Sequence, residues 1–387
     1  MSFEESAGIN FTMSENQRMV RDLARDFTEK EIKPYVMKYD ESQDFPKEIF
    51  EKLGEVGFLG AIFPEEYGGS DMSTLDFAVM MEEISKVDPS VGLGLAAHNG
   101  LCTSHIFLFG NNEQKKKYLP DLCSGKKLGG WGLTEPGSGS DAGGMQSVAE
   151  RNGDHYIING SKTFCTHGSV GETYVVMAKT DKGKGKESIT SFILEKGMNG
   201  FSVGKKENKL GMRASDTATL IFENVKVPVE NRIGEEGEGF KQALKVLDGG
   251  RIGIAALSVG IAQGALEHSL KYANERKQFG KFLSEMQAIQ FKIADMHTET
   301  EAARLLTYEA AYRKDNGLDY TLAAAKAKYF ASEIATRAAN EAVQIHGGYG
   351  FIKEYPVEKL YRDVKLMTIG EGTSEVQKMV IARQLLK

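Results

Sequence analysis

Residues 147–160, SVAERNGDHYIING, are the stretch from which the fold can be read outward. Apolar and polar side chains alternate in it, and the pairs Asn152-Gly153 and Asn159-Gly160 are typical of tight turns between antiparallel strands. The same texture predicts five strands: Ser147–Arg151, His155–Ile158, Thr173–Lys179, Thr190–Glu195 and Thr217–Phe222, with 182–186 as an exposed loop. We therefore expect a compact, antiparallel β-domain over residues 126–235.

Helical patterns precede this sheet. Ser14 with Gln17 three positions later forms a capping-box pattern, and apolar residues then recur at helical spacing to near Pro34. Similar patterns cover residues 46–56, 74–87, the stretch after Pro89, and 113–122. They predict an N-terminal helical domain over residues 1–125.

Longer helical patterns follow the sheet. They cover residues 240–276, 284–316, 320–346 and the chain after Glu371. Long helices without breaks favour a C-terminal four-helix bundle over residues 236–387. The fold class is therefore α+β and mainly α, with a cleft where the three parts meet.

Charge and composition exclude several classes of function. A net charge of −6 over 387 residues argues against nucleic acid as a partner. The most apolar stretch, Ile252–Leu266, is shorter than a membrane span and predicts a buried helix, so no membrane insertion is expected. Three scattered cysteines and an N-terminus unlike a signal peptide favour a cytoplasmic protein. The seven histidines show no metal-ligand spacing, so no metal site is predicted.

The segment WGLTEPGSGSD, residues 131–141, is the first candidate for binding chemistry. Its glycines free backbone amides and its hydroxyls add donors, which suits a phosphate or the edge of a flavin ring. Composition alone leaves a plain Gly-Ser loop equally open, since these are ordinary turn residues.

The segment LTEPGSGSD resembles the signature of acyl-CoA dehydrogenases, and five further blocks resemble family segments in the same order. They are AAHNG (96–100), NKLGMR (208–213), ERKQFG (275–280), QIHGGYG (344–350) and GEGTSE (370–375). The resemblance covers essentially the whole chain and implies the acyl-CoA dehydrogenase fold, with FAD as the cofactor. It implies oxidation of an acyl-CoA thioester to the 2-enoyl-CoA.

Glu371 matches the catalytic base of most family members, which removes the α-proton while a hydride leaves the β-carbon. Burial beside an acyl chain should raise the pKa of this carboxyl toward the working pH. The backbone amide of Glu371 would help to hold the enolate-like oxygen. Without the resemblance, a helix-start carboxylate favoured by the helix dipole would be the simpler interpretation.

The resemblance also implies residues that hold FAD. Thr134 and Thr166 match positions that touch the flavin ring, and Ser140 matches a position near the pyrophosphate and pantetheine. Arg276, Phe279, Gln344, Gly347 and Gly348 resemble segments that reach from a neighbouring subunit to the adenine half of FAD. The predicted cofactor-binding set is Trp131, Leu133, Thr134, Ser140, Phe164, Thr166, Arg276, Phe279, Gln344, Gly347, Gly348 and Thr373.

The block LDGGR, residues 247–251, resembles a helix segment that flanks the acyl-CoA tail, and one family branch places its base there. Glycine occupies that position here, which supports Glu371. Gly370 stands where many straight-chain members carry Tyr, so we expect a short or branched acyl group. The predicted substrate-binding set is Ser140, Asp248, Arg251, Gly370 and Gly372.

Phe164-Cys165 replaces the family's common Trp-Ile beside the flavin, so the aromatic packing there covers less area. The resemblance implies electron-transferring flavoprotein as the acceptor and a homotetramer, a dimer of dimers, as the assembly. Two alternatives stay open: an oxidase-like flavoenzyme that passes electrons to oxygen, and a catalytically silent acyl-CoA-binding scaffold.

Overall fold

The computed structural model describes residues 12–386, so the first residues, on which the expectation about targeting rests, lie outside the described part. The capping box is confirmed, because the Ser14 side chain accepts from the Gln17 backbone and Gln17 returns a bond to Ser14. Seven α-helices form the first part: α1 (Glu15–Phe27), α2 (Val36–Ser42), α3 (Lys47–Glu55), α4 (Thr74–Ser85), α5 (Pro89–Ala97), α6 (Ser104–Phe109) and α7 (Asn112–Cys123). Wider π-helical turns, Thr28–Ile32 and His98–Thr103, follow α1 and α5.

A sheet of eight strands follows: β1 (Gly129–Gly132), β2 (Val148–Asn152), β3 (His155–Thr166), β4 (Thr173–Lys179), β5 (Ile189–Glu195), β6 (Phe201–Lys206), β7 (Thr217–Pro228) and β8 (Arg232–Ile233). The order is β6-β7-β3-β2-β4-β5-β8, and β1 pairs with β4. Most pairs are antiparallel, as predicted, but β1 runs parallel to β4 and β2 touches β4 in parallel. The sheet is therefore mixed.

The predicted turn at Asn159-Gly160 is wrong. Both residues lie inside the 12-residue strand β3, where the register against β7 shifts between Ile158 and Gly160. Gly160 has φ +140°, and a Cβ there would lie 2.4 Å from the Ser147 hydroxyl oxygen. An Asn-Gly pair can mark a β-bulge as well as a hairpin, and here the bulge brings β2 and β3 close together.

The last part is helical again. It contains α8 (Gly239–Glu275), α9 (Gln287–Asp315), α10 (Thr321–His346), α11 (Val357–Val364) and α12 (Ser374–Leu385). A two-stranded hairpin, β9 (Lys277–Gln278) with β10 (Lys281–Phe282), separates α8 from α9. Residues 250–262 of α8 are buried on every side, which confirms the buried helix predicted there. Within residues 12–386 no helix is long and apolar enough to cross a membrane.

One apolar core joins the first and last parts. Helix α4 is buried along nearly its whole length and packs against α8, α9 and α1. Two ion pairs add to this packing: Arg304 on α9 donates to Glu82 on α4, and Lys359 on α11 donates to Asp88, the N-cap of α5, at 2.9 Å. The first and last helical parts are therefore joined by charge contacts as well as by the apolar core.

Candidate active site

Glu371 lies in a short loop between α11 and α12 that is held in an unusual backbone conformation. Its φ is +51°, and Gly372 follows at φ +93°. The Lys328 ammonium donates to the Gly372 carbonyl at 2.7 Å, and the Gln377 amide donates to the carbonyls of both residues, at 3.3 Å for Glu371 and 3.0 Å for Gly372. A non-glycine residue at positive φ persists only where such contacts support it.

The carboxylate of Glu371 lacks part of its hydrogen bonding. Its Oε2 atom is buried and has no hydrogen-bond partner among the described residues. Burial raises the pKa of the carboxyl from 4.5 to about 7, although the nearby charges of Lys328 and Arg251 oppose the rise. A carboxyl with such a pKa can accept a proton at neutral pH.

Gly250 on α8 makes room for this carboxylate. A Cβ at position 250 would lie only 2.4 Å from Oε2 of Glu371. The carboxylate of the later loop therefore packs against a glycine of α8, in the block where the sequence analysis expected a glycine in place of the alternative base.

The interpretation of Glu371 as a helix-start carboxylate gains no support from the geometry. Helix α12 begins at Ser374, and the side chain of Thr373 caps it by accepting from the Val376 backbone at 3.3 Å. The side chain of Thr373, which was predicted to hold the cofactor, thus caps α12. The Ser374 hydroxyl donates to the carboxylate of Glu333 on α10. The carboxylate of Glu371 takes no part in the cap.

Asp248 and Arg251 lie one turn apart on α8 and are paired with each other. Arg251 is buried and its Nη1 donates to Asp248 at 2.5 Å, while Asp248 accepts from the Thr321 hydroxyl at 3.0 Å. The Nε of Arg251 has no partner among residues 12–386. The pair therefore joins α8 to the start of α10 and places a positive charge near Glu371.

The segment predicted to contact FAD and substrate, residues 131–141, is held in place by a buried ion pair between Glu135 and Lys162. Glu135 accepts from Lys162 at 2.7 Å and from the backbone of Gln146 and Ser147 at 2.5 and 3.0 Å. Lys162 also donates to the Leu133 carbonyl at 3.3 Å. The neighbouring ammonium and these amides lower the pKa of Glu135 although burial opposes them, so the carboxylate stays charged.

Four residues predicted to contact FAD lie near this ion pair and are at least partly exposed; we call Thr134, Ser140, Phe164 and Thr166 the rim. Ser140 is exposed and Thr134 is half-buried, and the Thr134 carbonyl accepts from the Thr163 backbone at 2.8 Å. Phe164 is 65% exposed and has φ +56°. An aromatic ring held outward at positive φ is a strained arrangement that suits a planar ligand. Thr166, two residues further along β3, is half-buried beside it.

Trp131 connects this rim to α8 through a buried histidine. Its indole N–H donates to Nδ1 of His105 at 3.1 Å, and Nε2 of His105 lies 3.1 Å from the Gln242 side-chain oxygen. Burial lowers the pKa of His105 to about 4, so the ring is neutral at pH 7. The indole can only donate, so Nε2 carries the proton.

The remaining predicted FAD residues lie far from Glu371 within one chain. Arg276 sits 5.3 Å from the centroid of the Tyr349 ring, next to the Gly347-Gly348 segment, and Phe279 at the tip of the β9–β10 hairpin is 95% exposed. Gln344 follows Lys328 by 16 positions on α10, which is roughly 24 Å along a helix. The structure therefore brings the predicted residues together as two groups.

Sequence reasoning missed the residues that hold the site in place. Lys328, Gln377, Lys162 and His105 are buried polar residues inside helix or strand patterns, and none belongs to a motif. A lysine at an otherwise apolar face of α10 was the one available signal. Among residues 12–386 no cluster of metal-ligating side chains occurs, and Cys102, Cys123 and Cys165 are all buried thiols.

The open rim and the two groups fit FAD. Threonine hydroxyls, exposed amides of a glycine loop and an outward aromatic ring suit a flavin, and an arginine on an exposed hairpin suits phosphates. The Glu371 carboxylate lies against Gly250 of α8, and its buried Oε2 atom has no hydrogen-bond partner among residues 12–386. The arrangement fits a flavin-dependent oxidoreductase.

The chain belongs to the acyl-CoA dehydrogenase family. The N-terminal, middle and C-terminal domains of acyl-CoA dehydrogenase match residues 14–126, 130–225 and 237–386. The protein is accordingly an FAD-dependent enzyme that dehydrogenates an acyl-CoA thioester.

Individual relatives are similar over their full length. The short-chain specific acyl-CoA dehydrogenase of Clostridium acetobutylicum is 49% identical over 98% of this chain and 100% of its own. Subunit CarC of the caffeyl-CoA reductase–Etf complex of Acetobacterium woodii is 48% identical over 97% and 99%. The solved butyryl-CoA dehydrogenase from Megasphaera elsdenii superposes with a TM-score of 0.96 at 47% identity, over 98% of this chain and 100% of that one.

Proposed function

We propose that Glu371 is the base that removes the α-proton of a short or branched acyl-CoA thioester. The observation that carries this proposal is the buried Oε2 atom of Glu371, which has no hydrogen-bond partner among residues 12–386. The carboxyl has a pKa of about 7, so near neutral pH it gains and loses a proton readily.

The loop around Glu371 also offers a donor for the thioester oxygen. Its backbone N–H donates no hydrogen bond within the described residues, whereas the carbonyls of Glu371 and Gly372 are held by Gln377 and Lys328. A fixed, free N–H beside the base can stabilise the negative charge that develops on the carbonyl oxygen. The same loop would thus remove the proton and hold the oxyanion.

FAD, when bound, accepts the hydride that leaves the β-carbon. Thr134, Thr166, Leu133 and Phe164 would hold the ring, with Trp131 and Ser140 beside it. Arg276, Phe279, Gln344, Gly347 and Gly348 of a neighbouring subunit would hold the adenine half. The roughly 24 Å along α10 that separates Lys328 from Gln344 supports this division between subunits.

The acyl preference rests on Gly370. The three atoms nearest to a Cβ at this position all belong to Leu366, the closest at 3.5 Å, so a side chain could start here without a clash, and glycine leaves its volume empty. The absent side chain leaves that space to the substrate. Relatives are named for short-chain, butyryl and caffeyl thioesters.

The proposed function also includes an electron acceptor, an assembly and a location for the enzyme. The electrons pass to electron-transferring flavoprotein, as the name of the Acetobacterium woodii complex indicates for that relative. The enzyme would assemble as a homotetramer, a dimer of dimers, as the family resemblance implies, and the exposed Phe279 and Phe351 offer apolar side chains for contacts between subunits. Three buried free thiols fit a cytoplasmic location.

Anaerobic titration of the purified yellow protein with acyl-CoA thioesters tests the proposed substrate. Straight, branched and cyclic thioesters are added in turn, and bleaching of the flavin absorbance is followed. We expect the fastest bleaching with short or branched chains. Preference for long straight chains would contradict the assignment, and bleaching by no thioester would favour a silent scaffold. Rapid peroxide formation in air would favour the oxidase alternative.

A further inference from the structure

A cavity of about 240 Å³ lies between α4, the 98–109 segment, α8 and the loop that joins α9 to α10. Its walls are largely apolar, with Ile62, Phe63, Phe77 and Phe107 among them. None of the β-sheet residues predicted to touch FAD lines it. The cavity therefore lies between α8 and the N-terminal helices, apart from the predicted FAD-binding residues of the sheet.

Small residues join this cavity to the base. Gly100 and Gly250 meet where the 98–109 segment crosses α8, since a Cβ on Gly100 would lie 3.5 Å from the Gly250 Cα. Ala96 and Gly253 line the cavity one turn away on each helix. Gly250 also faces the Glu371 carboxylate. An acyl chain whose α-carbon lies at Glu371 can therefore turn past Gly250 into the cavity.

The outer end of the cavity is cationic. Lys245 and Lys314 both line it, and the Lys314 ammonium lies 3.5 Å from the Cβ position of Gly249. Lys245 stands over the Tyr320 ring, 4.4 Å from its centroid. Lys314 makes no hydrogen bond or ion pair within residues 12–386, and burial, together with Lys245, lowers its pKa although Asp315 opposes this.

The adjacent carboxylate does not neutralise this end. Asp315 accepts from the backbone of Thr74 at 2.7 Å and of Leu75 at 3.0 Å, at the start of α4. It is committed to the orphan amides of a helix terminus, where a negative charge is favoured. The Lys314 ammonium thus lines the cavity without an ion pair within residues 12–386, whereas Lys245 has the carboxylates of Asp248 and Asp319 near it.

We propose that this cavity binds the far end of an acyl group that ends in a carboxylate, and that Lys314 pairs with that carboxylate. The inference rests on the proposed function, because it needs the thioester at Glu371. The Lys314 ammonium and the Glu371 carboxylate flank adjacent glycines of α8, so they lie on the order of 10 Å apart. Contacts of about 3 Å at each end leave roughly 4–5 Å between the α-carbon and the terminal carboxyl carbon. About four bonds of 1.2 Å each span this length, so an extended six-carbon chain fits, and an eight-carbon chain fits when it bends around Gly250.

A carboxylate at this point would be recognised by charge and not by shape alone. An alkyl chain of equal length satisfies the apolar walls but leaves the Lys314 ammonium unpaired in a partly buried place. The dicarboxylic thioester supplies the missing partner, with a charge-assisted hydrogen bond. The enzyme should therefore separate two thioesters that differ only at the far end.

The test compares matched thioesters in the complete holoenzyme: adipyl-CoA with hexanoyl-CoA and suberyl-CoA with octanoyl-CoA. For each pair the ratio of kcat/KM values is measured in the wild type, in Lys314→Met and in Lys314→Arg. We expect Lys314→Met to lower the dicarboxylic-to-monocarboxylic ratio at least tenfold and Lys314→Arg to restore much of it. Lys326→Met, which removes an ammonium from the α10 surface where it pairs with Glu309, is the control and should leave the ratio unchanged.

Three outcomes would count against the inference or the function on which it rests. An unchanged ratio in Lys314→Met overturns the inference. An equal rise of KM for both members of each pair also overturns it, because it means that the ammonium meets the CoA phosphates shared by all four thioesters. If no thioester of either kind reduces the flavin, the proposed function itself fails, and that result is separate from a change in ratio.

Discussion

Glu371 illustrates how much of the site is decided by a single side chain. Its φ of +51° turns the carboxylate toward Gly250 and away from the helix that begins at Ser374. The sequence identified this residue through the GEGTSE block, because motif resemblance carries position. It could not identify Lys328, which reaches the Gly372 carbonyl from 44 residues away, because that contact exists only after α10 has packed.

The raised pKa of Glu371 predicts a pH-dependent cost to stability. Below the ordinary pKa of 4.5 the carboxyl is protonated in both folded and unfolded protein, and above about 7 folding must bury a charge. The stability that protonation provides is thus lost as pH rises from 4.5 through 7. Glu371→Gln should therefore raise the free energy of unfolding at pH 8 by about 1–3 kcal/mol.

Urea unfolding of the flavin-free protein at several pH values measures this effect. The gain from Glu371→Gln should shrink toward zero as pH falls to about 4.5. Glu375→Gln serves as the control, because that carboxylate is exposed in the first turn of α12 and its pKa is lowered. A gain that is the same at every pH would rule out burial of a charge as its cause.

At the scale of elements, the buried pair Glu135–Lys162 fixes the loop between β1 and β2. Strand β3 brings Lys162 under the loop, and Glu135 then holds the Gln146 and Ser147 amides. Alternation predicted a strand only over His155–Ile158, whereas β3 continues to Thr166. Lys162 lay outside every predicted strand, so its inward position was not predicted, and lysine is rarely buried.

Lys162→Met leaves Glu135 charged and unpaired in a buried place. Breaking such a pair on one side typically costs about 3–5 kcal/mol, and the loss should also weaken FAD binding, since Lys162 holds the Leu133 carbonyl. Urea unfolding and FAD titration measure the two effects. The double variant Glu135→Gln/Lys162→Met should recover a large part of the stability. No recovery would mean that packing, and not charge, explains the loss.

Turn chemistry shows the limit of element prediction. Asn152-Gly153 forms the turn between β2 and β3, whereas Asn159-Gly160 forms a bulge within β3. The two pairs are alike in composition, and the pairing with β7 separates them. Helix α11 and the short strands β8, β9 and β10 were not predicted either, because their sequence patterns are too brief to recognise.

For the molecule as a whole, periodicity alone predicted the order of the three parts, which is helices, then a sheet, then helices again. The domain limits 1–125, 126–235 and 236–387 stay predictions. The assembly stays a prediction: the two groups of predicted FAD residues lie on different parts of one chain, and it is the family resemblance, not periodicity, that implies a neighbouring subunit. Sequence order carries no information about which copy completes which site.

Mixing two inactive variants tests the shared site. In a mixed dimer of Glu371→Gln and Arg276→Ala subunits, one site would combine an intact Glu371 with an intact Arg276 from the other subunit. Random co-assembly should therefore restore about a quarter of wild-type activity. Each variant expressed alone is the control. If both residues of a site come from the same chain, co-expression restores no activity.

The central claim is that the carboxylate of Glu371 removes the α-proton. Its most direct test is the rate of anaerobic flavin reduction by a good thioester, measured by stopped flow in the wild type, Glu371→Gln and Glu375→Gln between pH 5.5 and 9. We expect the rate constant of flavin reduction to rise with pH through about 7 in the wild type and in Glu375→Gln. In Glu371→Gln the rate should fall by about 10²–10⁴-fold, with FAD still bound. Reduction at wild-type speed in FAD-loaded Glu371→Gln would contradict the claim and place the base elsewhere.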